Sequence, residues 1–218
     1  MAKFDMSSFN KKLDKMDDVN TSLTPPTYFL HTGNYALNKL MSGELSGGGA
    51  QGRIVMFAGH SSSGKSLVAA STVAQTIRDG GYALVLDSES ALDDEFMANI
   101  GVDVDSPRYS YAGVDNIPTA TEIVNNFLKM YRESDEETRC VIVVDSLDML
   151  LTKTEQTKLD KEGALGGDQG QQAKQIKSTL KTWVHSSNSL PVTIIVTKQP
   201  YKEQDPTKAY SDPWVITE

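Results

Sequence analysis

One octapeptide limits what this chain can become. Gly59-His60-Ser61-Ser62-Ser63-Gly64-Lys65-Ser66 is a GxxxxGKS loop. It lies between the apolar run Ile54-Val55-Met56-Phe57-Ala58 and a stretch from Ser66 to Arg78 with helical periodicity, stopped by Gly80-Gly81. Strand, glycine loop, helix is the context in which such a loop cradles phosphate. Its glycines let backbone N–H groups turn inward around a polyphosphate. The helix start adds unpaired donors and the positive end of a dipole. Lys65 supplies a full charge for the β- and γ-phosphates, and the Ser66 hydroxyl is placed to ligand Mg²⁺. The bland alternative is a chance glycine turn before a helix, and the flanking elements weigh against it.

The rest of the chain alternates strand and helix. Ala83-Leu84-Val85-Leu86, Val141-Ile142-Val143-Val144 and Val192-Thr193-Ile194-Ile195-Val196 read as strands, with a short one at Tyr109-Ser110-Tyr111. Helices are predicted from Leu92 to Asn99, from a capping-box pattern at Thr119-Ala120-Thr121-Glu122, and around Ala173, Ile176, Leu180, Trp183 and Val184. Ala36, Leu37 and Leu40 suit a short helix, which Gly43 and Gly47-Gly48-Gly49 break. The strands are nearly continuous apolar runs, as required when helices cover both faces of a sheet. The fold class is therefore α/β, with a largely parallel sheet flanked by helices. Residues 152–172 are polar and glycine-bearing and read as a long connection, functional or disordered.

A chain of 218 residues suggests one domain. Its 21 Lys and Arg against 29 Asp and Glu give a net charge of −8, which excludes retention on nucleic acid by bulk positive charge. Any DNA contact must come from a local basic surface, with modest, salt-dependent affinity. A single cysteine, Cys140, excludes a disulfide scaffold, and three scattered histidines give a metal cluster little support. No apolar run approaches the ~18–20 residues of a membrane span, and no signal-peptide core is present. The expected compartment is a reducing cytoplasm.

Two further positions carry chemistry. Asp145 ends the run VIVVD, where a carboxylate at the C-terminal end of a buried parallel strand borders a ligand crevice and could hold Mg²⁺ or its water shell. Alone, the pattern is also a common strand end or helix cap; the phosphate loop upstream favours the functional reading. Glu89, in Asp87-Ser88-Glu89-Ser90, could act as general base on an attacking water, or be a solvated loop residue. Asp87 reads as a cap for the helix that follows. Before Pro25-Pro26, residues 6–16 could form one short amphipathic helix with Phe9 and Leu13 on one face, either a frayed tail or an arm that docks on a neighbouring subunit.

HTGNYALNKLMSGELSGG, the phosphate loop, DSESALD, IGVD and VIVVDS follow one another here in the order found in RecA-type recombinases. The resemblance covers about residues 31–200. Through MSGELSGGGAQG it looks closest to the bacteriophage UvsX-like branch. It implies a RecA-like P-loop NTPase core that binds ATP between protomers of a helical filament on single-stranded DNA and drives pairing and strand exchange. By that resemblance Glu89 matches the catalytic glutamate and Asp145 the Walker B aspartate. Phe96 falls where the family stacks an aromatic on adenine, though it could be a helix core residue. Residues 162–170, with Gly163, Gly166, Gly167 and Gly170, match the first DNA-binding loop. Lys174, Lys177 and Lys181 in the next helix would then make phosphate contacts, or simply form a solvated face. Lys198 and Gln199 are both candidates for the γ-phosphate sensor. The resemblance divides the chain into an arm and linker at 1–30, a core at 31–200, and a start of the second DNA-binding loop at 201–218. It also implies that the family's later strands are missing, so the strand near 192–197 is expected to form an unpaired apolar edge; a truncated chain, a split gene whose second polypeptide completes the sheet, and an independent short homologue all stay open.

Overall fold

The computed structural model describes residues 4–17, 19, 26–134, 137–163, 169–202 and 214–216. In chain order the elements are α1 (Met6–Leu13), β1 (Phe29–Leu30), α2 (Tyr35–Ser42), β2 (Gly49–Ala50), β3 (Ile54–Ala58), α3 (Lys65–Arg78), β4 (Tyr82–Asp87), α4 (Asp94–Ile100), β5 (Tyr109–Gly113), α5 (Ile117–Glu133), β6 (Cys140–Asp145), a 3₁₀ turn (Leu147–Met149), α6 (Lys153–Glu162), α7 (Gln169–Ser187), β7 (Val192–Lys198), β8 (Tyr201–Lys202) and β9 (Trp214–Val215).

Five strands form one parallel sheet in the order β3-β7-β6-β4-β5. Alternate residues of each central strand serve opposite faces, which is the physical reason for their unbroken apolar runs. Leu84, Leu86, Ile142, Val144, Ile194 and Val196 pack with Ala120, Val124 and Leu128 of α5 and Trp183 of α7. Ala83, Val85, Val141, Val143 and Ile195 pack with Ala69, Ala70, Val73 and Ala74 of α3 and Met97 of α4.

Four expectations change. The strand at 192–198 is not an edge: it sits between β3 and β6 with all seven residues buried. The rim on that side is β3, whose partner among the described residues is β7 alone. The sequence shows the order of strands along the chain but not their order in space. Residues 152–172 are not one loose connection either. α6 starts at a complete capping box, in which Thr152 accepts from the Glu155 N–H at 3.1 Å and Glu155 accepts from the Thr152 N–H at 2.7 Å. α5 begins before the expected box: the Asn116 side chain accepts from the Thr119 N–H at 2.9 Å, with Pro118 in the first turn. Asp87 does not cap α4; Asp93 does, accepting from the Phe96 N–H at 2.7 Å.

Ahead of the sheet, β1 and β2 pair antiparallel. Asn38 is fully buried and pins this unit: its Oδ1 accepts from Thr32 N–H and Oγ1–H at 3.0 and 2.7 Å, and its Nδ2 donates to the Leu45 carbonyl at 2.8 Å. A side chain at Gly47 would press within 2.5 Å of the Phe29 Cβ, so the glycine run is a close backbone approach rather than slack.

Candidate functional site

β3 delivers the phosphate loop to the C-terminal end of the sheet and α3 leaves from it. The turn needs left-handed backbone at Ser62 (φ 61°) and Gly64 (φ 89°), and Gly64 meets that demand without steric cost. The Lys65 Nζ folds back over the loop and donates to the carbonyls of Gly59 and His60 at 3.0 and 2.9 Å. Ser66 lies one residue into α3, in its first turn. Thus Gly59 to Ser66 form one nest beneath a helix start, able to hold a polyphosphate.

Asp145 ends β6 beside Asp87, which ends β4 in register with it. Asp145 is 4% exposed and accepts a hydrogen bond from the Thr197 hydroxyl. Among the described residues no ammonium or guanidinium lies within ion-pair distance of it. A buried carboxylate with a hydroxyl partner and no cation beside it among the described residues has the chemistry to ligand a divalent ion. No group of three or more His, Cys, Asp or Glu that could hold a metal ion gathers among the described residues.

Glu89 is exposed, yet it is held. Ser146 Oγ–H donates to Glu89 Oε1 at 2.7 Å. Ser146 is itself fixed by Ser88, whose hydroxyl donates to the Ser146 carbonyl at 2.7 Å and accepts from the Ser146 N–H at 2.9 Å. Asp87, 1% exposed, accepts from the N–H groups of Glu89 and Leu92 at 2.9 and 3.0 Å and from the Tyr111 hydroxyl at 3.1 Å. It organises the loop that carries Glu89. Burial, and then the hydrogen bond to Asp87, push the Tyr111 phenol above its usual range. The arrangement holds the Glu89 carboxylate at the C-terminal end of the sheet.

Other candidates are scattered. Phe96 is half-buried and packs on the α3-side core. Gly163 takes the left-handed conformation (φ 65°) that ends α6, and Gly170 lies in α7; Gly166 and Gly167 lie outside the described residues. Lys174, Lys177 and Lys181 are all exposed, but only Lys177 and Lys181 share a groove, with Met56, Leu180 and Val184. The Lys198 ammonium pairs with Asp148 at 3.3 Å, and the Gln199 N–H donates to the same carboxylate.

Ser88, Ser146, Asp148 and Thr197 were not singled out from the sequence. Ser146 adjoins Asp145, but its bond to Glu89 spans 57 positions. Lys153, Lys158 and Lys161 of α6 line a surface depression with Thr154 and Thr157.

Residues 14–200 match the family model of the RecA N-terminal domain. Protein RecA of Nautilia profundicola is 32% identical over 175 residues, 80% of this chain and 45% of the relative. Protein RecA of Thermotoga petrophila is 33% identical over the same length, with the same coverage. Protein RecA of Kineococcus radiotolerans is 31% identical over 182 residues, 83% of this chain and 48% of the relative. The chain thus spans about half the length of the curated relatives it matches. A glycine nest on the rim strand, a buried strand-end aspartate, a tethered glutamate and this extended match make the chain a member of the RecA family.

Proposed function

We propose that the chain is the ATP-binding portion of a DNA recombinase, one that binds ATP and Mg²⁺, polymerises on single-stranded DNA and promotes homologous pairing and strand exchange. The observation that supports this reading best is the hydrogen bond from Ser146, next to Asp145, to Glu89, which holds a carboxylate at the same C-terminal end of the parallel sheet from which the glycine loop leaves. In it, Gly59 to Ser66 hold the triphosphate, with Lys65 over the β- and γ-phosphates. Ser66 and Asp145 hold Mg²⁺, which neutralises charge on the phosphates. Glu89 takes the proton from the attacking water. Gln199 is the better γ-phosphate sensor of the two candidates, because the Lys198 ammonium is already engaged with Asp148. Phe96 borders the adenine.

The arm at 1–30 presents α1 to a neighbouring protomer. α1 has no buried residue, and Phe9 is 46% exposed. Residues 31–200 form the ATPase core, and 201–218 lead toward the second DNA loop. Gly163, Gly166, Gly167 and Gly170 border the DNA, with Lys174 and Lys177 on its phosphates. No helix among the described residues is long and apolar enough to cross a membrane, and the proposed compartment is the cytoplasm, a host's if the gene is phage-borne. The UvsX-like affinity rests on MSGELSGGGAQG, the segment that ends in the β2 approach.

Phosphate release in the presence of single-stranded DNA tests the reading. Lys65→Ala is expected to abolish nucleotide binding, and Glu89→Gln to keep binding while turnover falls by about 10²–10⁴. Undiminished hydrolysis in Glu89→Gln removes that residue's role. Tight ATP binding without any turnover in the native sequence points instead to a non-catalytic subunit that caps a filament, or to half of a recombinase that needs a second chain.

A further inference from the structure

Glu89 is held at both of its ends. Ser146 holds its carboxylate. Its backbone N–H donates to Asp87 Oδ1 at 2.9 Å, while the other oxygen of Asp87 accepts from the N–H of Leu92, on the far side of the loop, at 3.0 Å. One carboxylate thus spans the loop from Ser88 to Ala91, in which Ser90 takes left-handed backbone (φ 52°). Asp87 can do so only while its carboxylate keeps one orientation. The terminal torsion of an aspartate is broad and roughly two-fold, so the torsion alone does not supply that orientation. Neither does a cation: among the described residues, no ammonium or guanidinium lies within ion-pair distance of Asp87.

A side chain from the rim of the sheet does. Tyr111 lies on β5, which among the described residues pairs with β4 alone. Its register partner is Val85, so Tyr111 stands two residues short of Asp87 and on the same face of the sheet. Such a diagonal neighbour is about 7–8 Å away, within reach of an aromatic side chain. The phenol spans that gap, and its hydroxyl donates to Asp87 Oδ2 at 3.1 Å. Tyr111 is 44% exposed, whereas Tyr109 on the same face packs against the α3-side core. Burial of the ring gives little reason for a tyrosine at 111; the bond made by its hydroxyl gives one.

We propose that Tyr111 is a positioning residue for Glu89: its hydroxyl fixes the Asp87 carboxylate, and Asp87 fixes the backbone from which Glu89 extends. The inference rests on the proposed role of Glu89 as general base. Tyr111 acts on Glu89 through two hydrogen bonds in series. Without the hydroxyl, Asp87 keeps two backbone donors, but its carboxylate is freer to turn. Ser146 still grips the Glu89 carboxylate, while the backbone behind it loosens, and Glu89 spends less time in the one position from which it can take a proton. Nucleotide affinity does not depend on this chain of bonds, because none of its members belongs to the phosphate loop.

Tyr111→Phe, which keeps the ring and removes only the hydroxyl, is read in two ways on the 218-residue chain. The first is amide hydrogen exchange followed by NMR without nucleotide. The Glu89 and Leu92 amides are expected to exchange on the order of tenfold faster than in the native sequence, while those of Ile142 and Val143 in β6 keep their rates. The second is phosphate release from saturating ATP and Mg²⁺ with single-stranded DNA. The variant is expected to turn over roughly five- to tenfold more slowly, with the half-saturating ATP concentration within about twofold of native. In a Glu89→Gln background the same change is expected to alter the residual rate by less than about twofold, since it acts through Glu89; a merely structural loss would slow both backgrounds alike. Native exchange rates at Glu89 and Leu92 in Tyr111→Phe overturn the proposal, and so does an equal slowing in the two backgrounds. A native chain that binds no ATP sinks the reading on which the inference rests, and with it the catalytic meaning of Tyr111, whatever the exchange rates show of the loop.

Discussion

Ser146 sets what Glu89 can do. A carboxylate on an exposed loop samples many rotamers, and one hydrogen bond from a fully buried hydroxyl selects among them. Hydrogen bonds to charged groups contribute roughly 1.5–3 kcal/mol. Ser146→Ala should therefore lower ATP turnover by about tenfold or more while nucleotide affinity stays within about twofold, a split that single-turnover phosphate release resolves. Turnover equal to the native rate would show that Glu89 needs no tether. The glycine loop and Asp145 stand out in the sequence as candidates because each lies in a short local pattern, whereas Glu89 is singled out from a solvated loop residue only by the family resemblance. Ser146, Thr197 and Asp148 do not stand out. Their partners are set by the register of β4 against β6 and by the place of β7 beside β6, and no local pattern records either.

Among the elements, the central strands were readable because burial on both faces leaves no alternation to misread. α6 was not, since a helix that is polar almost all round shows no apolar stripe; its signal is the Thr152–Glu155 box. α7 combines a buried side at Ile176 and Trp183 with exposed Lys174, Lys177 and Lys181. If the last three meet single-stranded DNA, each phosphate neutralised adds about 0.7 to the slope of log K against log salt. Replacing Lys174 and Lys177 together by Gln should flatten that slope by about 1.4 in a salt titration, whatever the oligonucleotide sequence. An unchanged slope would assign the contact to another surface, with the lysines of α6 the next to try.

Across the whole molecule, the charge state of a buried core group limits stability on the alkaline side. Cys140 lies on β6 with no exposure, and burial pushes its thiol well above the ordinary 9.0. The thiol stays protonated in the folded chain but ionises once the chain unfolds, so its contribution is intact below about pH 9 and is lost as pH rises past that value. Tyr28, displaced upward mainly by burial, acts with the same sign from its ordinary 10.0. Urea unfolding should show stability falling by about 1.4 kcal/mol per pH unit for each group above its ordinary value. Cys140→Ala should make that decline shallower; an identical decline would place its origin elsewhere. A last consequence belongs to the mouth of the sheet. Asp87 and Asp145 end neighbouring strands in register, Ser146 holds Glu89 next to Asp145, and Lys198 is already neutralised by Asp148. On the proposed reading, these carboxylates would repel a bare tetra-anionic nucleotide, and the chelate, with its ion already aboard, would enter at least cost.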